Sequence, residues 1–326
     1  MVLAVLATAL IAARSTPSYR IVASIPGPDG GWDLASVDPI VRRLYVARTD
    51  GVMAVDLRRG TVTPVLVPSQ RGHAAFAIPG THEIVSTNGA SNTALVFDGL
   101  SGTVRATIAT GKKPDAVAFD PRTRTAWIMN PDSGSITVID PASAKVVATV
   151  AVTGSLELGV ADGEGRLFVN VEDRNEVAVV DTVRRVLLKR FALAGCDGPT
   201  GIAYAPDAKL LVSACANGVA VVSSRDGRRV AVLAIGPRPD GALYDQRRHV
   251  ALIPSGGDGT LAVIRLSGIP RVVERIATAK GSRTAALDPS TGRIYLPAAT
   301  FAPPVGGERP KMIPGTFRVL VLQPAR

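Results

Sequence analysis

Seven side chains recur along this chain at a nearly constant interval. They are Asp33, His73, Asp115, Glu157, Thr200, Asp240 and Arg283, separated by 40, 42, 42, 43, 40 and 43 residues. Four carboxylates and one imidazole dominate the series, which is oxygen-rich chemistry. Brought together, such groups could hold a divalent cation, or a ligand carrying several hydroxyls or amines. A metal held by Asp33, His73, Asp115, Glu157 and Asp240 could polarise a carbonyl and so support hydrolysis. Equally, the groups could serve only to hydrogen-bond neighbouring loops, because equivalent positions in any ring of repeats form a circle. Other reactive signatures are missing: the chain has no GxSxG, HExxH, CxxC, CxxCH or GxxxxGK. Of the three histidines, His82 and His249 fall in turns remote from His73, and no nucleophile motif stands near any of them. Haem attachment and nucleophilic catalysis are therefore not expected.

The elements that must position these residues are short strands. Segments such as WDLASVDP, PDAVAFDP, LELGVADG and PDGALYDQ open each unit, and GHAAFAIPG, PTGIAYAPD and RTAALDPSTG complete the set. Each is followed by a second strand (TAWIMN, RLYVAR, RLFVNV, RIYLPA), a third (SITVID, GVMAVD, TALVFD, EVAVVD) and a fourth (KVVATVAV, TVRATIAT, RVAVLAIG). Their alternation and β-branched content suit half-buried strands, and Pro, Asp and Gly fill the turns between them. A period of about 40–45 residues with four strands per unit is the signature of a propeller blade. The expected fold is therefore all-β, a seven-bladed β-propeller of four-stranded antiparallel blades. The last unit stops after its third strand, near Phe317–Leu322, while YRIVASIP at residues 19–26 reads like a fourth strand. The N-terminal strand is thus expected to complete blade 7 and close the ring, removing an open edge.

The unit PDAVAFDPRTRTAWIMNPDSGSITVIDPASAKVVATVAV resembles the YVTN-type repeat of YncE-like propeller proteins. The resemblance spans roughly residues 19–322, and the second, fifth and seventh units depart from its Tyr-Val-Thr-Asn core. It implies an exported propeller without established catalysis, related to lactonases and to binding proteins.

In such a ring the loops leading into the first strands share one face with the loops after the second strands. The seven spaced residues should then circle one mouth of the central channel. A secondary rim of Trp32, Arg48, Asn88, Asn130, Asn170 and Glu172 is expected beside them, with Trp32 free to stack. Cys196 and Cys215 fall on the same face, where a disulfide is favoured over two buried thiols. The lengthened loop 301–315 also belongs to this face, either as a lid over the mouth or as an ordinary surface loop.

Residues 2–13 form an apolar run broken only by Thr8, followed by small residues before Arg14. Residues 1–16 read as a signal peptide, leaving 17–326 as a single domain, although no Lys or Arg precedes the run and a buried strand is the alternative. Periplasmic or secreted localisation follows, with no transmembrane anchor, because twelve residues are too few to span a bilayer. The net charge is +10, much of it in turns of the opposite face such as Arg42-Arg43, Arg58-Arg59, Arg122, Arg124, Arg184-Arg185, Arg228-Arg229 and Arg247-Arg248. That face could attract an anionic surface, a polyanion or nucleic acid, or could simply keep the protein soluble. Aromatics are only 4% of the chain, which is poor material for stacking single-stranded bases. The function expected is a non-catalytic module binding a small ligand or a protein partner. A metal-assisted lactonase-type hydrolase on the same ring is the alternative, and polyanion binding on the Arg-rich face comes third.

Overall fold

Strand sequence and turn chemistry produce, among the described residues, 28 β-strands grouped into seven separate four-stranded sheets. The computed structural model describes residues 19–304 and 310–325, so the apolar segment read as a signal peptide lies outside the described residues. Among those described, no helix is long and apolar enough to cross a membrane.

Blade I comprises β2 (Trp32–Asp38), β3 (Arg43–Arg48), β4 (Gly51–Asp56) and β5 (Val62–Pro68). Blade II comprises β6 (Gly72–Ala77), β7 (Glu83–Asn88), β8 (Thr93–Asp98) and β9 (Val104–Ala109). Blades III, IV, V and VI continue in the same up-and-down order, beginning at β10 (Val117–Asp120), β14 (Leu156–Ala161), β18 (Pro199–Ala205) and β22 (Leu243–Asp245). Blade VII is assembled from both ends of the described chain. Strands β26 (Ala286–Leu287), β27 (Ile294–Ala298) and β28 (Arg318–Pro324) pair in order, and β1 (Tyr19–Pro26) adds antiparallel to β28. The register runs from Tyr19 opposite Pro324 to Pro26 opposite Arg318. The ring is closed as the sequence implied.

One expectation needs correcting. The second and third strands are not half-buried; β11 (Thr125–Asn130) and β23 (Val250–Ser255) are buried at every residue, and β8 and β12 (Ser135–Asp140) at all four central positions. Each blade is sandwiched between two others, so both faces of its middle strands leave water. They therefore carry continuous apolar runs, as strands covered on both sides do. The core is accordingly seven clusters, one at each blade interface. The large aromatics fill these seams: Tyr45 between I and II, Trp127 between III and IV, Phe168 between IV and V, and Tyr295 between VII and I. Outer strands are mostly solvent-facing, and each outer pairing carries a register shift that twists the rim.

Many aspartates are turn formers. Asp38, Asp56, Asp98, Asp181 and Asp245 each accept backbone N–H bonds from residues two and three positions further on. The Arg-rich turns then stitch the blades together. Arg42 pairs with Asp288 (I–VII), Arg43 donates to the Gly99 carbonyl at 2.8 Å (I–II), and Arg105 to that of Ala142 at 2.9 Å (II–III). Arg122 donates to the Glu164 carbonyl at 2.7 Å (III–IV), and Arg225 to the Asp162 carboxylate at 3.1 Å (V–IV). Tyr244 and His249 grip Asp207 (VI–V), and Arg247 donates to the Ser290 carbonyl at 2.7 Å (VI–VII). Every one of the seven interfaces is clasped.

Cys196, in the loop entering blade V, is disulfide-bonded to Cys215 at the end of β19 (Leu210–Cys215), across 19 residues. A loop of that length constrains the unfolded chain by about 3 kcal/mol. Reduction is therefore expected to lower stability by about 2–3 kcal/mol in urea titrations run with and without reductant. An unchanged midpoint would make the bond energetically irrelevant.

Candidate functional site

The spaced residues meet at one end of the channel because the backbone there departs from regular pairing. Asp33, His73, Glu157 and Thr200 each sit within a register shift between the first and second strands of their blades. A bulge of this kind re-aims side chains at a rim. Asp115, Asp240 and Arg283 instead precede short first strands, in the loops that turn into the channel. Small side chains lock neighbouring inner strands together. Thr87 donates to the Asp115 carbonyl at 2.7 Å, Thr200 to that of Pro239 at 2.9 Å, and Thr284 to that of Asp33 at 2.9 Å. Gly201 permits the approach of blade V to blade VI, since a Cβ there would lie 2.4 Å from the Gly241 carbonyl carbon.

The result is a polar hollow of about 190 Å³ lined by Asp33, His73, Asp115, Glu157, Glu172, Thr200 and Asp240, with Leu34 and Leu158. Arg283 stands at its edge. His73 Nδ1 is 2.8 Å from Asp33 Oδ2 and 3.7 Å from Asp115 Oδ2. Arg283 Nε donates to Asp240 Oδ2 at 2.5 Å, and its guanidinium lies 3.7 Å from Asp33. Two carboxylates, Asp33 and Asp240, are thus neutralised by cations. Glu157, on the next blade, has no cation beside it, and Asp115 has only the shared His73 imidazole at 3.7 Å; among the described residues neither side chain accepts a hydrogen bond.

Electrostatics follows from this inventory. Burial, then the charges of Asp115, Asp240, Glu172 and Asp33, push Glu157 up to about 9. Burial and Asp33 push Asp115 up to about 7, against the pull of His73. Asp240 rises to about 6 through burial and Asp33, with Arg283 opposing. His73 is raised by its hydrogen bond to Asp33 and by the Asp115 charge, against burial. Burial would lower Arg283, but Asp240 and Asp33 outweigh it and raise the guanidinium. At neutral pH the hollow therefore holds protonated Glu157 beside partly protonated Asp115, and it is short of positive charge.

Asp33, His73 and Asp115 each offer a ligand atom, all within 4.8 Å of one another, so a divalent ion could be taken there. The fit is incomplete on the imidazole side. Ligation through Nδ1 would displace its proton and give up the Asp33 bond. It would also leave the proton on Nε2, which is buried without a protein partner against the bare backbone of Gly89.

The secondary rim is largely not a rim. Only Glu172 lines the hollow. Trp32 is buried against Phe301 and Phe317, with ring centroids at 6.1 and 5.3 Å, and is not free to stack. Arg48 is buried over the Phe317 ring and donates to the carbonyls of Pro28, Gly30 and Gly31. Asn88 binds Ser69 and Thr93; Asn130 binds Ser135 and Thr137; Asn170 donates to the carbonyls of Thr200 and Gly201. These amides bracket loops from inside the blades, because a buried amide must find partners. The described parts of the 301–315 loop do not line the hollow either. Phe301 bridges to Met312, and Asp29 accepts the Gly315 and Phe317 amides, fixing both ends beside a neighbouring groove.

No protein-family model and no curated protein matches this chain. Solved structures do. The chain is similar to hydrazine synthase of Kuenenia stuttgartiensis at 17% identity and a TM-score of 0.68, covering 83% of this chain and 92% of that one. It is also similar to a chain in the crystal structure of a mitotic checkpoint complex, at 15% identity and a TM-score of 0.75, covering 99% of this chain and 96% of that one. At such identities the likeness concerns the seven-bladed fold alone.

Proposed function

We propose that this protein is an exported propeller of the YncE-like, YVTN-repeat type that binds a small cationic ligand at the acidic channel mouth. One observation carries the reading: Asp115 and Glu157 share a hollow in which, among the described residues, neither carboxylate accepts a hydrogen bond. A site that holds protons on its own carboxyl groups at neutral pH is poised to exchange them for a cation. A disulfide in the loop beside the mouth supports export to an oxidising compartment, either periplasmic or extracellular.

The linkage has a definite sign. A cation entering between Asp115 and Glu157 must expel their protons, so affinity should rise as pH climbs from about 7 to about 9. Calorimetric titration with calcium, manganese and putrescine, at pH 6 and pH 8.5, tests this. Binding at least tenfold tighter at the higher pH is expected, and Asp115→Asn or Glu157→Gln should each abolish that gain. Heats absent for all three cations, or identical in both variants, would end the reading.

The alternative, a metal-assisted lactonase-type hydrolase, draws on the Asp33–His73–Asp115 cluster. A divalent ion held there would supply Lewis-acid polarisation of a lactone carbonyl. Lactone opening that depends on added metal and vanishes in His73→Ala would favour it over simple binding.

A further inference from the structure

Beside the acidic hollow, and opposite to it in charge, lies a second cavity that the cation reading does not use. It is a groove of about 970 Å³ where blades VI and VII meet on the mouth face. Its cationic wall is Arg238, Lys280, Arg283 and Arg318, and no carboxylate belongs to the described lining. These four are not equivalent. Arg283 is already committed to Asp240 and Asp33, and Arg318 donates to the Thr316 carbonyl at 3.0 Å. Arg238 and Lys280 are exposed and form no ion pair among the described residues. Arg238 is also held in place, since its backbone adopts a left-handed conformation (φ 53°) and its amide donates to the Ala216 carbonyl at 3.2 Å.

Much of the remaining lining is apolar. Phe301 leads it, with Pro303 and Pro304 beyond. Phe301 is fixed in position rather than loosely draped. It packs on Trp32 and lies over the bare backbone of Gly281, where a Cβ would come within 2.8 Å of the ring. Two cations without an ion pair among the described residues and a fixed aromatic ring lining one groove define a chemistry. Guanidinium and ammonium groups recognise carboxylate and related oxyanions, and a flat ring surface recognises a flat apolar body. The volume falls in the range that takes a whole organic molecule, whereas the acidic hollow has room for little more than an ion or an amine.

We propose that the groove between blades VI and VII is a separate binding site for an organic anion with a flat apolar body, its carboxylate held by Arg238 and Lys280 and its ring laid against Phe301. The site stands whether or not the acidic hollow takes a cation, because the two share only Arg283.

2-Naphthoate is the probe, titrated calorimetrically into the mature protein, with 2-naphthalenemethanol as the neutral analogue. Emission from Trp32, which touches Phe301, gives a second readout; the other tryptophan, Trp127, is buried in a distant seam. Saturable binding of the naphthoate is expected, at least tenfold tighter than the alcohol and weakening as salt rises. Arg238→Ala/Lys280→Ala should lose at least tenfold, and Phe301→Ala should weaken both probes. Glu157→Gln, in the hollow, should leave naphthoate affinity unchanged, which separates this site from the cation reading. Equal binding of acid and alcohol, no saturable heat, or full affinity in the double variant would each overturn the proposal. Both cations are at the surface, so circular dichroism of that variant should match wild type.

Discussion

Glu157→Gln is expected to stabilise the protein at alkaline pH, by about 2–3 kcal/mol at pH 8, while changing little at pH 5. In the unfolded chain this carboxyl ionises near its ordinary value; in the folded ring, burial and the neighbouring carboxylates hold its proton up to about 9. Between those limits the native state binds more protons than the unfolded one, so stability falls as pH rises. It is greatest below the unfolded value and lost progressively towards pH 9. Glutamine has no proton to lose, so its advantage grows across the same window. Water at the open mouth screens part of the effect, which is why about 2–3 kcal/mol is expected rather than the roughly 5 kcal/mol that an unscreened site would reach at pH 8, at about 1.4 kcal/mol per pH unit above the ordinary value of 4.5. Urea denaturation of both proteins at pH 5, 6.5 and 8 measures the divergence. Parallel curves would mean that Glu157 ionises normally, and the case for a proton-loaded hollow would go with it.

Removing residues up to Pro26 is expected to abolish cooperative unfolding altogether. Strand β1 covers β28 along nearly its whole length, and Tyr19 buries its phenol to donate to Asp245 of blade VI at 2.8 Å. Without it, β28 becomes an exposed edge, and an unpaired edge rich in Val and Leu invites pairing with other chains. The truncated protein should aggregate or lose its sharp urea transition. Adding a synthetic peptide of residues 19–26 should partly restore it. Tyr19→Phe grades the same contact, because losing one buried charge-assisted bond should cost about 1–3 kcal/mol without unfolding the ring. A truncated chain that unfolds as sharply as the full one would show that six and three-quarter blades suffice.

The blade count and the closing strand were legible because both rest on periodicity. Units about 42 residues apart admit few other folds, and YRIVASIP fills the one missing strand. The hollow was half legible. Register places Asp33, His73, Asp115, Glu157, Thr200 and Asp240 on one face, and all six line it. Register does not say whether a side chain at a strand end turns into the channel or back between blades. Asn88, Asn130 and Asn170 turned back, since a buried amide must find partners and theirs are hydroxyls of nearby Ser and Thr and carbonyls of the next blade's inner strand. The bulges that aim Asp33, His73 and Glu157 carry no sequence signature of their own. The turn arginines were read as free surface charge, yet Arg42, Arg43, Arg122, Arg185, Arg229 and Arg247 each reach a partner on a neighbouring blade that lies far away in sequence.

The hollow takes one residue from nearly every blade, and this fixes when it can exist. Asp33 belongs to the first blade completed from the N-terminus, and Asp240 is held by Arg283 from the blade completed last. While the chain is being made, Tyr19 must wait for Pro324 before the two can pair. Local hairpins and adjacent blades can form early, because their contacts are short-range, but the closing contact is the longest-range in the molecule. Until it forms, the carboxylates lie on an open arc rather than around a common centre. The cation affinity proposed above should therefore arise abruptly, at the final step of folding, and a cation added during refolding would act as a trap for the closed ring without speeding the steps that precede it.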